Sequence, residues 1–365
     1  MTSPAEIATP AVLIDSDVLD RNIARMSTAI SARGLKLRPH VKTHKVLEIA
    51  AKQLAAGAVG ITVATIGEAE VFANNGVKDI FIAYPLWVNP PQAERLRRLA
   101  ATTRITVGVD SPQSAAAMGM NLGDDAGKIT VSVEIDSGHH RSGVHPAAAV
   151  DVARAAAQAG MNVAGVFTFP GHSYAPGVPT AAARDEDAAL SQAAALLQAA
   201  GFTLTQISGG STPTALLDEK TVATELRPGV YVFGDAQQWE LSRCETNDIA
   251  LTVVSTVVSH HATEPDEPGR FILDAGSKIL GSDRAPWATG YGRLIDYPDA
   301  RIIALSEHHA TVEWPQGQKI PERGSRLRVV PNHVCLTMNL VDEVHIVSNG
   351  IITGQWAVAA RGKNS

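Results

Sequence analysis

The pattern of apolar and polar positions changes near residue 245. Up to that point short β-branched runs at 35–42, 60–64, 79–83, 105–109, 129–135, 163–167, 205–208 and 224–230 read as strands. Between several of them lie stretches rich in Ala, Leu, Glu, Gln and Arg, at 46–56, 67–74, 92–101, 147–159 and 181–200, which read as helices. Gly57, Gly76, Gly160 and Gly201 stand where helix C-terminal caps belong. Eight strands, most followed by a helix, predict an α/β fold with a (β/α)8 TIM-type barrel at 16–245. After it come runs at 249–259, 270–273, 300–306, 310–314, 325–330, 343–348 and 351–358 with no helical stretch between them. They predict a C-terminal, mainly antiparallel β domain at 246–365, to which the strand-like 10–15 assigns residues 1–15.

Composition narrows the class. Of 365 residues, 45% are hydrophobic and 19% charged, an ordinary globular balance. A formal charge of −6 without a Lys/Arg tract argues against a nucleic-acid surface. No apolar run approaches the roughly 20 residues that span a bilayer. The first seven residues show no secretory signal, and two cysteines, Cys244 and Cys335, rule out a disulfide scaffold. A cytoplasmic, membrane-free protein is expected.

Chemistry concentrates in Arg38-Pro39-His40-Val41-Lys42-Thr43-His44-Lys45. If this run ends a barrel strand, Arg38, His40 and Lys42 alternate onto one face, at the end where barrel active sites form. A lysine enclosed there loses hydration and can react as a neutral amine with an aldehyde. Equally, Lys42 reads as an ordinary strand-end lysine, while Lys45 opens the next helix and is expected to point outward. Residues 134–143 form a Gly-rich loop carrying Arg141, and Ser208-Gly209-Gly210-Ser211-Thr212-Pro213-Thr214 follows another strand. Together with Arg227-Pro228-Gly229-Val230-Tyr231 at the next strand, these small-residue turns suit a phosphate. Pro331-Asn332-His333-Val334-Cys335 puts an imidazole and a thiol two residues apart. In an extended segment both would point to one side, as metal ligands must; packing is the plainer reading of such a pair. Cys244 reads as packing.

This set of motifs, with Gly171-His172-Ser173-Tyr174, resembles the alanine-racemase-like (fold-type III) pyridoxal phosphate enzymes over nearly the whole chain. Within them it is most similar to the D-serine dehydratase and D-threonine aldolase branch. The resemblance implies Lys42 as the Schiff-base lysine, Arg141 at the cofactor's phenolic oxygen, and Tyr174 beside the cofactor. It implies Gly210, Ser211, Thr212 and the amides near Gly229 at the phosphate, and His172 as a catalytic residue touching substrate. It also makes His333 and Cys335 metal ligands. Their softness suits Zn2+, with Mn2+ or Mg2+ as the harder alternatives.

The expected reaction is dehydration of a small D-3-hydroxy amino acid such as D-serine to a 2-oxo acid and ammonia, the metal assisting departure of the β-hydroxyl. The alternative is a metal-dependent aldolase giving glycine and an aldehyde; Cys335 tilts the choice, since aldolases of the branch are expected to carry aspartate there. A racemase gives the metal pair no work, and a cofactor carrier needs no β domain. By the same resemblance a homodimer is expected.

Overall fold

The computed structural model describes Ser3, Pro4 and residues 6–261 and 269–365. Contacts divide the chain into two compact units. One comprises Met1–Ala24, Thr43–Glu48 and Val230–Arg361; the other comprises Arg25–Lys42, Ile49–Gly229 and Gly362–Ser365. The chain's first strand, β1 (Ala11–Asp15), belongs to the former. The latter is the barrel.

Its strands are β2 (Lys36–Leu37), β3 (Ile61–Val63), β4 (Asp79–Pro85), β5 (Arg104–Val109), β6 (Ile129–Glu134), β7 (Asn162–Phe167), β8 (Gln206–Gly209) and β9 (Glu225–Leu226). All pair in parallel, in the order β2-β9-β8-β7-β6-β5-β4-β3. A parallel bridge between His40 and Thr62 joins the two ends of that order, so the sheet closes on itself. The register sets Ile61, Ile80, Ile105 and Ile129 side by side, all fully buried or nearly so. Such unbroken apolar runs mark strands covered on both faces, and each buried isoleucine contributes about 2 kcal/mol. Gly165 shows why β7 needs a glycine: at φ 154° a Cβ would lie 1.8 Å from the Gln206 carbonyl oxygen. The register shift between Val131 and Ser132 falls opposite it.

The barrel expectation holds, with shorter strands at the seam. Residues 35–42 and 224–230 reduce to the two-residue β2 and β9 because Pro39 and Pro228 have no N–H for the ladder. Looser bonds continue the pairing, His40 N–H donating to the Pro228 carbonyl at 3.0 Å. Further helices include Ser16–Ala32 and Pro112–Leu122, the second started by the Ser111 side chain accepting the Ser114 N–H. The four predicted cap glycines all have positive φ.

Arg38 fastens the seam. Its Nε lies 2.9 Å from Glu225 on β9 and its Nη1 2.6 Å from Asp79 on β4, all three side chains buried or nearly so. Burial raises the Glu225 carboxyl, but Arg38 with Ser208 and Gln206 holds it below the usual carboxylate range.

In the other unit β10 (Leu251–His261), β11 (Gly269–Leu273), β12 (Gly292–Leu294), β13 (Arg301–Leu305), β14 (Ala310–Trp314), β15 (Arg326–Pro331), β16 (Glu343–Ser348) and β17 (Ile351–Ala357) join β1. The order is β13-β14-β11-β10-β1-β16-β17, with β15 paired to both β10 and β12. Every pair is antiparallel except β1 with β16. Phe271 and Trp314 pack at 5.5 Å between ring centroids in its core. No helix among the described residues is long and apolar enough to cross a membrane.

Removing the guanidinium would strand two buried carboxylates. Arg38→Ala is therefore expected to cost about 3–5 kcal/mol in chemical denaturation, and an unchanged midpoint would contradict the triad's role. The stabilisation at Glu225 is complete above the ordinary carboxylate range and is lost as the pH falls through the depressed value.

Candidate active site

Beyond His40 the chain leaves the barrel wall and enters a single 3-10 turn, Val41–Thr43. Lys42 thus sits past the strand rather than on it, half-buried. Its Nζ is 6.0 Å from the centroid of the Phe169 ring. Over the same ring stands Arg141, with Cζ at 5.3 Å, while His139 meets it edge-on at 5.7 Å and Tyr174 at 6.1 Å. Phe169, two residues past the end of β7, therefore gathers Lys42, Arg141 and Tyr174 from three loops. The sequence reading missed it, since one aromatic after a strand carries no signal of its own.

The loop bearing Arg141 is built around Asp136. That carboxylate accepts the N–H groups of Gly138 and His140 at 2.9 and 3.0 Å and meets His140 Nδ1 at 2.7 Å. Burial raises the Asp136 carboxyl, but these donors bring it below its ordinary value. His172 lies in the turn Gly171–Ser173, its Nε2 3.4 Å from Asp185 Oδ2. Ser211 is buried, its hydroxyl 2.9 Å from that of Ser173 and 3.0 Å from that of Thr214. Gly210 has φ 84° and donates its N–H to Glu186. Thr212 follows Ser211, and Gly229 ends the barrel unit just before the turn Val230–Val232.

Arg227 is a further member that the sequence reading left without a role. It is buried, donates to Ser208 Oγ at 2.8 Å and to the Thr168 carbonyl, and lies over the rings of Phe81 and Phe167. Burial pulls its guanidinium down to about 10 against the opposing pull of Glu225, Glu186 and Glu134. Glu134 is in turn pushed up by burial. His40 is held far below the ordinary imidazole value, first by burial and then by Lys42 and Arg227. This end of the barrel is thus a partly desolvated cluster of cations around a neutral imidazole.

The second candidate centre lies in the β-rich unit. β15 stops at Pro331, and the helix Val334–Leu340 starts directly after His333. His333 and Cys335 are therefore not on one extended segment as the spacing suggested: Cys335 belongs to the first helical turn. They nevertheless interact, for the sulfur and Asp235 together hold the His333 imidazole well above its ordinary value although burial opposes it. Cys335 Sγ is 3.4 Å from Thr43 Oγ1. Asn332 anchors the turn through the carbonyls of Asp283 and Gly290, at 3.0 and 2.8 Å. Lys45 is also placed differently from expectation. At φ 56° the backbone turns it inward, and its buried Nζ donates to Asn339 Oδ1 at 2.8 Å.

Both centres suit the groups expected of them. The barrel holds an amine and a guanidinium about one aromatic face, with a left-handed glycine loop nearby in sequence to β8. Around His333, the fully buried Asp235 Oδ2 lies 3.5 Å from Nδ1 and accepts no hydrogen bond. A carboxylate there matches the outer partner of a metal-bound imidazole. Among the described residues no set of three or more His, Cys, Asp or Glu side chains is arranged to hold a metal.

The parallel barrel with its separate, mainly antiparallel sheet is the fold of the alanine racemases. Residues 14–237 match the family "Alanine racemase, N-terminal domain", and residues 250–347 match "Putative serine dehydratase domain". The chain belongs to the fold-type III pyridoxal phosphate enzymes, in the lyase branch of D-serine dehydratases and D-threonine aldolases. It is 39% identical to D-threo-3-hydroxyaspartate dehydratase of Delftia sp. (strain HT23), covering 90% of this chain and 91% of that one. With D-threonine aldolase of Arthrobacter sp. the identity is 33%, covering 98% and 94%. A cysteine-to-alanine variant of D-threo-3-hydroxyaspartate dehydratase, solved in a metal-free form, superposes with a TM-score of 0.88 at 35% identity, covering 98% and 99%.

The electrostatics make one spectroscopic prediction. His40 stays neutral in the fold, so its imidazole signals should not titrate between about pH 5.5 and 8 in NMR spectra. A midpoint near the ordinary histidine value would contradict the cluster described. Because the unfolded chain takes up the proton that folded His40 refuses, His40 also weakens the fold as pH falls below that ordinary value.

Proposed function

We propose that this protein is a pyridoxal phosphate- and metal-dependent dehydratase of D-3-hydroxy amino acids. Lys42 would hold the cofactor's aldehyde carbon, Arg141 its phenolic oxygen, and the loop of Gly210, Ser211 and Thr212 with Gly229 its phosphate. Tyr174 would line the pocket and His172 would face substrate. His333 and Cys335 would hold the metal, with Zn2+ best suited to the thiolate and Mn2+ or Mg2+ the harder alternatives. When bound, the cofactor supplies an electron sink that acidifies the hydrogen on the substrate's α-carbon, and the metal supplies a Lewis acid for the β-hydroxyl.

The residues then have distinct tasks. Nζ of Lys42, freed from the aldehyde carbon when the substrate's amine takes its place there, would accept the α-proton. Arg141, with Cζ 5.3 Å from the centroid of the Phe169 ring, would orient the cofactor for that transfer. His40, kept uncharged, does not compete as an acid. The observation that carries dehydration over retro-aldol cleavage is the thiol of Cys335 beside His333, because the aldolases of the branch are expected to carry aspartate at that position. Aldol cleavage is the second reading, favoured by the full-length similarity to D-threonine aldolase. Either substrate would be a small D-3-hydroxy amino acid, D-serine or 3-hydroxy-D-aspartate among them, and the protein would act as a cytoplasmic homodimer.

Incubation of cofactor-loaded protein with D-serine, D-threonine and D-threo-3-hydroxyaspartate decides between the two. The matching 2-oxo acid with ammonia is expected; glycine with an aldehyde would establish the aldolase instead. His333→Ala and Cys335→Ala should each lower turnover by about a hundredfold or more, the loss of several kcal/mol of Lewis-acid assistance, while leaving cofactor absorbance in place. Full turnover after verified removal of all metal would contradict the assignment.

A further inference from the structure

Glu186 carries a charge-bearing group into the barrel wall with no role in the account so far. It sits midway along the helix Pro179–Ala199 and is buried. Burying a carboxyl costs several kcal/mol unless a donor meets it, so its partner is informative. That partner is the backbone N–H of Gly210, 2.5 Å from Oε1. The contact is close enough to dictate sequence on the other side: a Cβ on Gly209 would come within 2.3 Å of the same oxygen. A Cβ on Gly210 would press on Leu226 at 3.0 Å, and its φ of 84° already favours glycine. The neighbouring Asp187 acts likewise, accepting the Val222 N–H at 2.6 Å, so the helix holds the loops after β8 and before β9 through two adjacent carboxyls.

We propose that Glu186 is a positioning residue for the cofactor's phosphate, its carboxyl oxygen fixing the Gly209–Gly210 peptide and with it the conformation of residues 208–212. This rests on the reading of that loop as the phosphate site. Gly210 then serves through its left-handed backbone, its own N–H being engaged behind the loop. Ser211 and Thr212 follow it in the same loop.

A carboxylate behind a phosphate would ordinarily repel it. Burial, with a smaller push from Asp187, lifts the Glu186 carboxyl to about 7 against the pull of Gly210 N–H and Arg227. It can therefore become neutral at little cost while still accepting the Gly210 N–H. An amide does the same, whereas an apolar side chain leaves that N–H unpaired.

The test compares two aldehydes that differ only in the phosphate. Apoprotein is titrated with pyridoxal phosphate and, separately, with pyridoxal, following visible absorbance. Glu186→Leu should weaken pyridoxal phosphate binding by about tenfold or more and change pyridoxal binding by less than about twofold; one lost hydrogen bond at a buried site is of that size. Glu186→Gln should keep both affinities within about threefold. A folded Leu variant with wild-type affinity for pyridoxal phosphate overturns the proposal, as does an equal loss for both aldehydes. If circular dichroism shows the Leu variant unfolded, Glu186→Asp takes its place. One methylene shorter, it should lose pyridoxal phosphate selectively, and unchanged or equally reduced affinities would refute the role. Wild-type protein that takes up neither aldehyde would overturn the cofactor reading itself.

Discussion

The buried guanidinium of Arg38 closes the barrel. The strand that must complete the eight-membered ring, β2, is two residues long, and its pairing with β9 continues only through the Arg38 and His40 N–H groups. On its other side it meets β3 through the His40–Thr62 bridge and through the N–H groups of Val59 and Thr62, which donate to Leu37 and Pro39. So short a strand holds position only if something else ties it down, and Arg38 grips both β9 and β4. His40 and Lys42 follow at two and four residues. The placement of Lys42 is therefore inherited from an ion triad four residues earlier in the chain.

Next to that triad, linked to it through Ser208, lies the complementary problem. Arg227, Arg141 and Lys42 crowd an end where Glu134 and Glu186 are both pushed up by burial and are thus poor counterions. A guanidinium drawn down to about 10 is under-compensated. Such a place accepts an anion at small electrostatic cost, which agrees with a phosphorylated cofactor and a carboxylate substrate. Aromatic faces do part of the work in the meantime, Phe169 under Arg141 and Lys42, and Phe81 and Phe167 under Arg227.

Much of this was legible in the sequence, for identifiable reasons. Strands β4 to β7 carry β-branched runs long enough to be read directly, and Gly57, Gly76, Gly160 and Gly201 close helices with positive φ. The seam was over-extended because Pro39 and Pro228 interrupt the ladder while their neighbours still look strand-like. Lys45 was turned outward by a helical pattern that does not disclose a left-handed residue just before the helix. The spacing of His333 and Cys335 suggested a strand, yet β15 ends at Pro331 and a helix begins after His333. Phe169 and Glu186 were illegible for another reason. Each matters through a partner far away in the chain, Lys42 for one and Gly210 for the other, and no local pattern marks such a pair.

The central claim concerns one nitrogen atom. Cofactor-loaded protein reduced with borohydride, digested and mapped by mass spectrometry should carry the phosphopyridoxyl group on Lys42 and leave Lys45 unmodified. The group on Lys45 or any other lysine, with Lys42 intact in active protein, would contradict the account.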